Sequence, residues 1–140
     1  MIIAYFDGSC EPKNPGGAMG IGAIIYEDGK TLYAYSYGVP AKKENSNNVA
    51  EYMAFEAVLG YIQLENISGE QIHIYGDSKL VVQQMNNKWK IKEGRYVEYA
   101  NRCKELLREL KQTNKINVTW IPRERNSKAD ELSKSYHLVS

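Results

Sequence analysis

Histidine, cysteine, phenylalanine and tryptophan are scarce, with two of each in 140 residues. Cys10 and Cys103 form no Cys-x-x-Cys pair, which excludes a thiolate metal framework. A single bridge between them stays open, with free thiols in a reducing compartment as the expectation. Long hydrophobic runs are missing too. Ile2–Phe6 and Ala57–Ile62 fall far short of the ~18 apolar residues that cross a bilayer, so no membrane association is expected. No basic stretch precedes the first apolar residues, so a secretory signal is not expected and the cytoplasm is the predicted location. Charge of one sign is not in excess: 18 Lys and Arg face 17 Asp and Glu, a net +1. That excludes a polycation binding nucleic acid through bulk charge, so any such affinity must come from local patches. No repeat, low-complexity tract or Pro/Gly-rich linker divides the chain. What is there is ordinary globular material, 43% hydrophobic and 25% charged, which excludes disorder. One domain over residues 1–140 is expected, large enough to bury about two-thirds of its unfolded surface.

Met1–Phe6 is a short apolar run closed by Asp7-Gly8-Ser9, which reads as a buried strand delivering an acid to a turn. Ala18–Tyr26 and Thr31–Val39 are rich in β-branched and aromatic residues, with Glu27-Asp28-Gly29-Lys30 as a hairpin turn between them. The character changes after Ser46. Ala50, Met53, Ala54, Ala57, Val58, Tyr61 and Ile62 recur at helical spacing and predict an amphipathic helix from Asn47 to about Leu64. Gln71–Tyr75 returns to strand. Leu80 to about Met85 predicts a short helix, with Asp77 or Ser78 placed to cap it. Val97–Leu110 carries a cleaner apolar stripe, Ile116–Ile121 is a fifth strand, and a last helix opens near Asn126 or Ser127. The order βββαβααβα predicts an α/β fold: a five-stranded mixed sheet, a three-strand antiparallel meander plus parallel strands, with helices on both faces.

A strand–helix–strand crossover lets Ile2–Phe6 and Gln71–Tyr75 lie parallel and adjacent. Each leads into an acid, Asp7 and Asp77, and neighbouring strands sit only ~4.8 Å apart. Ligands of open α/β sheets bind beyond the carboxyl ends of the strands. Two carboxylates there repel each other and raise a pKa unless a cation neutralises them, so the pattern proposes a hard-cation site. Taken singly, each acid also has a structural role open to it. Asp7 serves a turn, Asp77 a helix cap, Asp130 a helix dipole and Glu51 a solvated helix face.

Asp7-Gly8-Ser9-Cys10, Asn14-Pro15-Gly16-Gly17, Asn47-Asn48-Val49-Ala50-Glu51, Tyr75-Gly76-Asp77-Ser78 and Asn126-Ser127-Lys128-Ala129-Asp130 together resemble type 1 ribonuclease H. The match runs from Ile3 to about Ser133, and the motifs follow the family's order. The resemblance implies an endonuclease that hydrolyses the RNA strand of RNA–DNA hybrids with two Mg²⁺ ions, leaving 5′-phosphate and 3′-hydroxyl ends. Mn²⁺ is the implied substitute metal. Asp7, Glu51, Asp77 and Asp130 carry over as the metal ligands, with Asp7 best placed to bridge both ions. The chemistry agrees, because Mg²⁺ prefers oxygen ligands and a pair ~3.5–4 Å apart can hold attacking and leaving oxygens in line.

The resemblance also implies substrate contacts. Asn14, Ser46, Asn47 and Asn48 match positions facing phosphate and sugar, work that suits short amide side chains able to pair with a 2′-hydroxyl. Turn and helix capping is their other reading. Lys88-Trp89-Lys90-Ile91-Lys92 is the most basic stretch, either a phosphate and sugar contact or a solvated linker whose Trp covers core edge. The chain departs from many family members twice. It runs directly into the Val97–Leu110 helix, so a longer basic protrusion is absent, and weaker hybrid affinity is expected. No His lies between Trp120 and Asp130, and neither His73 nor His137 fits that loop role. Arg123 is the candidate in its place, suited to phosphate charge but not to proton shuttling, with pairing to Glu124 or Glu131 as the alternative.

The rival from another class is a non-catalytic hybrid-binding module on the same fold, against which the intact acids argue. Transposases, integrases and junction resolvases share the acid-rich sheet edge but bring further DNA-binding domains. A glycosidase leaves the motif order unexplained, and the glycines make no Gly-x-Gly-x-x-Gly pattern. A monomer is expected.

Overall fold

The structure, a computed structural model, describes residues 1–136, so His137 lies outside the described residues. The chain forms β1 (Ile2–Glu11), β2 (Ala18–Glu27), β3 (Lys30–Val39), α1 (Asn47–Leu64), β4 (Gln71–Gly76), α2 (Lys79–Met85), α3 (Val97–Leu110), β5 (Lys115–Trp120), a 3-10 turn (Arg123–Arg125) and α4 (Ser127–Lys134). The sheet order is β3-β2-β1-β4-β5. β1 pairs antiparallel with β2 and parallel with β4, and β4 pairs parallel with β5. The meander, the crossover and the mixed sheet are as the pattern predicts.

One boundary differs in a way that matters. Asp7 is not in a turn: β1 continues to Glu11, with Asp7 opposite Gly22 in the antiparallel ladder. The parallel ladder to β4 stops at Phe6 opposite Gly76. Asp7 therefore stands at the end of one ladder and inside the other. The meander keeps pairing after the crossover strand has left, so the acid gains a hydrogen-bonded backbone instead of a loop.

Alternation along β1 sends successive side chains to opposite faces. Ile2, Ala4 and Phe6 are buried on one face, where Phe6 meets Phe55 of α1 edge-on at 5.2 Å. Gly8 continues that row, and a Cβ on it would overlap the backbone of Ala50 and Glu51. Asp7 and Ser9 face the other way, toward α4 at Ser133. There α4 rests directly on the strands, because a Cβ at Gly22 would overlap the backbone at Ala129 and Ser133. The glycines that make no nucleotide-binding motif are thus the floor for the last helix.

α1 is apolar over more of its circumference than an amphipathic surface helix. Val49, Tyr52, Phe55, Val58, Leu59 and Ile62 are all buried, because the sheet covers one side and α3 the other. Arg102 of α3 closes that packing with a bidentate pair to Glu56 of α1, at 2.8 and 2.9 Å. Ser78, not Asp77, caps α2 by accepting from the Val81 N–H, which leaves the Asp77 carboxylate free of capping.

Candidate active site

Asp7, Glu51 and Asp77 meet where β1, α1 and β4 converge, and each offers a carboxylate oxygen within 4.8 Å of the others. Asp7 and Glu51 are buried, at 5% and 4% exposure. Each acid is held from its own element. The Gly8 N–H donates to Glu51 Oε1 at 2.8 Å, so the close approach permitted by glycine also orients the acid of α1. Asn126, fully enclosed between the 3-10 turn and α4, donates from Nδ2 to the Phe6 carbonyl at 2.9 Å and to Asp77 Oδ2 at 3.0 Å. One amide thus spans both strand ends. The Ser133 hydroxyl faces Asp7 Oδ2 at 3.4 Å and the Asp130 carbonyl at 2.7 Å. Trp120 at the end of β5 donates its indole N–H to the Asp77 carbonyl at 3.1 Å.

Electrostatics follow from this crowding. Burial, then the Asp77 charge, then Asp130, push the Asp7 carboxyl up from 3.8 to about 8, against a smaller downward pull from Arg123. Burial and the charges of Asp7 and Asp77 push Glu51 well above its ordinary value, opposed by the Gly8 N–H and Arg123. Asp130 behaves differently. Burial pushes it up, but a hydrogen bond with Asp7 and the cations Lys134 and Arg123 outweigh that and hold it below the ordinary range. Lys134 Nζ and Arg123 Nη2 stand 3.3 and 3.6 Å from Asp130 Oδ1. The fourth acid is thus not among the three whose oxygens lie within 4.8 Å of one another, and it meets them only through Asp7. Arg123 pairs with neither Glu124 nor Glu131; it sits beside the acids.

The substrate-binding candidates divide. Asn14 Oδ1 accepts from the Asn47 N–H at 2.9 Å, pinning the β1–β2 loop to the start of α1. Ser46 caps α1, its Oγ accepting from Val49 N–H at 3.1 Å, and Asn48 is exposed beside it. These four gather at the start of α1, the helix that carries Glu51 one turn on. Lys88 and Trp89 instead line a separate cleft with Lys79 and Trp120, and Trp89 stays 45% exposed. Lys90 is exposed while its carbonyl accepts from Gln84. Cys10 and Cys103 are both buried free thiols. Sequence reasoning gave no role to Asn126 or Ser133. The signal available was the acid-bearing motif itself, which begins at Asn126.

A donor set made only of carboxylate oxygens, two of the three acids buried, mutually repelling and, among the described residues, with no lysine or arginine paired to Asp7, Glu51 or Asp77, fits hard divalent cations and nothing softer. An α/β sheet with acids at the strand ends, held by backbone and amide contacts, places the chain in the class of α/β folds that carry a carboxylate cluster at the sheet edge. Known proteins agree with this class. Residues 5–136 match the model of the reverse transcriptase-like family. A bifunctional protein of Mycobacterium tuberculosis, Rv2228c, is 33% identical over 133 residues, covering 94% of this chain and 34% of its own length. The chain thus spans about a third of the length of that curated relative. LC11-RNase H1, solved in complex with RNA/DNA hybrid, superposes with a TM-score of 0.81 at 32% identity, covering 94% of this chain and 93% of that one. The N-terminal RNase H domain of Rv2228c superposes at 0.80 with 28% identity, covering 94% of each. The chain belongs to the reverse transcriptase-like family, among the type 1 ribonucleases H.

Proposed function

We propose that this chain is a metal-dependent endoribonuclease that hydrolyses the RNA strand of RNA–DNA hybrids, leaving 5′-phosphate and 3′-hydroxyl ends. The observation that carries the reading is the triangle of Asp7, Glu51 and Asp77, the first two buried, each offering an oxygen within 4.8 Å of the others. Asp7 is the acid in reach of both Glu51 and Asp77 on one side and Asp130 on the other, so it would be shared by two metal positions. Glu51 and Asp77 would complete one and Asp130 the other. Mg²⁺ held there, or Mn²⁺ in its place, would supply Lewis acidity to the phosphate and acidify a water. The protein's own groups do the rest. Asn126 holds the Asp77 carboxylate at a fixed angle, and Gly8 does so for Glu51. Arg123 brings a permanent positive charge to the edge of the acids, where phosphate charge gathers. Asn14, Ser46, Asn47 and Asn48 present short polar groups to backbone and 2′-hydroxyls, and Lys88, Trp89 and Lys90 lie along the flanking duplex. The chain acts as one ribonuclease H unit and as a monomer, in the cytoplasm where replication and transcription leave hybrids. No helix among the described residues is long and apolar enough to cross a membrane.

The test is cleavage of one end-labelled RNA strand presented alone, in RNA–DNA and in RNA–RNA, with Mg²⁺ and with chelator. Metal-dependent cutting confined to the hybrid is expected. Asp77→Asn should abolish it while hybrid binding in chelator is kept or strengthened. Binding without cutting under any divalent metal would mean a hybrid-binding module instead, and cutting that survives Asp7→Asn would place the chemistry elsewhere.

A further inference from the structure

Residues 86–96 join α2 to α3 without helix or strand, and they carry Lys88, Lys90 and Lys92 as exposed cations with Trp89 at 45% exposure. A link with long solvated side chains and no ladder of its own is expected to move freely. This one is pinned. The Lys88 and Trp89 N–H groups both donate to the Gln83 carbonyl, at 2.8 and 3.2 Å. Asn86 Nδ2 donates to the Val118 carbonyl of β5 at 2.9 Å, and the Lys92 N–H donates to the Tyr96 hydroxyl at 3.4 Å.

The pin at the centre is Gln84 of α2, 1% exposed. Its Nε2 donates to the Lys90 carbonyl at 2.9 Å and to the Tyr96 hydroxyl at 3.1 Å. Its Oε1 accepts from the Tyr52 hydroxyl of α1 at 2.6 Å. Both amide hydrogens and the carbonyl oxygen are thus in use. The Tyr96 ring also stacks on Tyr52, with centroids 5.9 Å apart and planes within 6°. Of the buried polar side chains among the described residues, Gln84 alone bonds to this segment.

Packing does not call for an amide here. A methionine or leucine at the same position would fill the space beside Val81 and Met85 without dehydrating polar groups. What the amide adds is direction: three bonds of fixed geometry, to three separate residues, in a dry place where each is strong. The bond to α1 has a further consequence. Tyr52 follows Glu51, so the anchor of the network and an acid of the candidate active site are consecutive residues of one helix. The reach from the acids to the cationic segment is therefore set through side chains on rigid elements instead of through a length of coil.

We infer that Gln84 is a positioning residue for the substrate: through Lys90 and Tyr96 it holds Lys88, Trp89 and Lys90 at a fixed reach from the acids, while itself staying enclosed. The inference rests on the hybrid-nuclease reading above for what those three side chains meet. Removing the amide then loses affinity and leaves the chemistry.

The experiment measures hybrid affinity in chelator for wild type, Gln84→Met, Lys88→Ala/Lys90→Ala, and all three changes together. The lysine pair should raise Kd ~fivefold in the wild-type background and less than ~twofold once Gln84 is replaced, because cations that have lost their place contribute little. Gln84→Met alone should raise Kd ~threefold, and KM with it, while kcat in Mg²⁺ stays within ~twofold. Tyr96→Phe keeps the ring stack and loses only the hydroxyl, so it should move Kd the same way by ~twofold even if Gln84→Met fails to fold. Hydrogen exchange at the Lys88, Trp89 and Lys92 amides should quicken ~tenfold in both variants, with β1 unchanged. Ile72→Val, a truncation of a fully buried β4 side chain, is the stability control and should leave Kd alone. Unchanged Kd in Gln84→Met and Tyr96→Phe, or a lysine effect of equal size with and without Gln84, overturns the inference. A lysine pair without effect in the wild-type background overturns it too, together with the placement of these side chains on the duplex. Failure of the wild type to cut hybrid would overturn the nuclease reading instead, since affinity is read without turnover.

Discussion

Replacing Asp7 by asparagine should abolish cleavage and yet, in chelator at pH 8, make the protein more stable than wild type. The carboxyl sits at 5% exposure with its pKa raised from 3.8 to about 8 by burial and the neighbouring acids. A native carboxyl that holds its proton more tightly than the unfolded chain contributes fully below about pH 4, and that contribution drains away as pH rises toward 8. A gap of about four pKa units corresponds to a ceiling of ~6 kcal/mol at ~1.4 kcal/mol per unit. Sharing among coupled acids and water penetration reduce this to an expected ~2–3 kcal/mol. Asparagine has the same shape, keeps an oxygen for the Ser133 hydroxyl and adds an N–H₂ for the neighbouring carboxylates. In a chain of 140 residues ~2–3 kcal/mol is a rise of ~7–10 °C in Tm. The assay is thermal melting by circular dichroism at pH 4.5, 6 and 8, with chelator and with millimolar Mg²⁺. The gap should be largest at pH 8 and close toward pH 4.5. Metal should raise the wild-type Tm most at pH 8, by the equivalent of ~2.7 kcal/mol at one hundred times its Kd, and the variant far less. A variant no more stable than wild type at pH 8, or a gap independent of pH, would refute the electrostatic account.

Gly8→Ala must push β1 off α1, because its Cβ would overlap the backbone at Ala50 and Glu51; a loss of ~1–3 kcal/mol in urea unfolding and a large fall in kcat should appear together. Asn126→Leu fills the same space without its two donated bonds, so kcat should fall ~10²-fold with little change in KM, read in steady-state kinetics against Asn126→Gln. Ser46→Ala removes the cap of α1 at a cost of ~1 kcal/mol by chemical denaturation. Tyr52→Phe leaves Gln84 Oε1 without its donor in a dry site and should cost ~1–3 kcal/mol, while loosening the Lys90–Tyr96 segment in hydrogen exchange.

The order of elements and most of their boundaries were legible because the local signals agree: alternation in the strands, a positive-φ pair at Asp28 and Gly29 in the hairpin, a clean stripe on α3. The acids were legible too, since each lies in a motif at the end of a predicted strand or the start of a predicted helix. Three things were not. The end of β1 was hidden because Asp7-Gly8-Ser9 has turn composition, and only the long-range partner Gly22 keeps it extended. The all-round burial of α1 depends on α3 covering it, which no single-helix pattern reveals. Asn126 and Ser133 were invisible as positioning residues because their partners lie at Phe6, Asp77 and Asp7, more than forty residues away in every case.

The same long-range contacts explain how a fold tolerates such a site. Carboxylates forced together in a buried corner favour any motion that separates them, and a loop would grant it. Here Asp7 is locked in a ladder, Glu51 in a helix whose backbone touches β1, and Asp77 under an enclosed amide that also holds the Phe6 carbonyl. The repulsion therefore cannot relax by movement; it appears instead as raised proton affinity at Asp7 and Glu51. A divalent cation bound as proposed above would relieve that same repulsion by displacing the protons, and the fixed backbone would hold it in one arrangement. Asp130 lies outside this lock, partly exposed, and the hydrogen bond with Asp7 together with Lys134 and Arg123 holds its carboxyl below the ordinary range. The acids thus fall in two tiers, an inner triangle with no ion pair among the described residues and an outer acid already supplied with Lys134 and Arg123. On the proposed two-metal reading, a metal entering beside Asp130 would have to compete with these side chains and would bind the more weakly of the two.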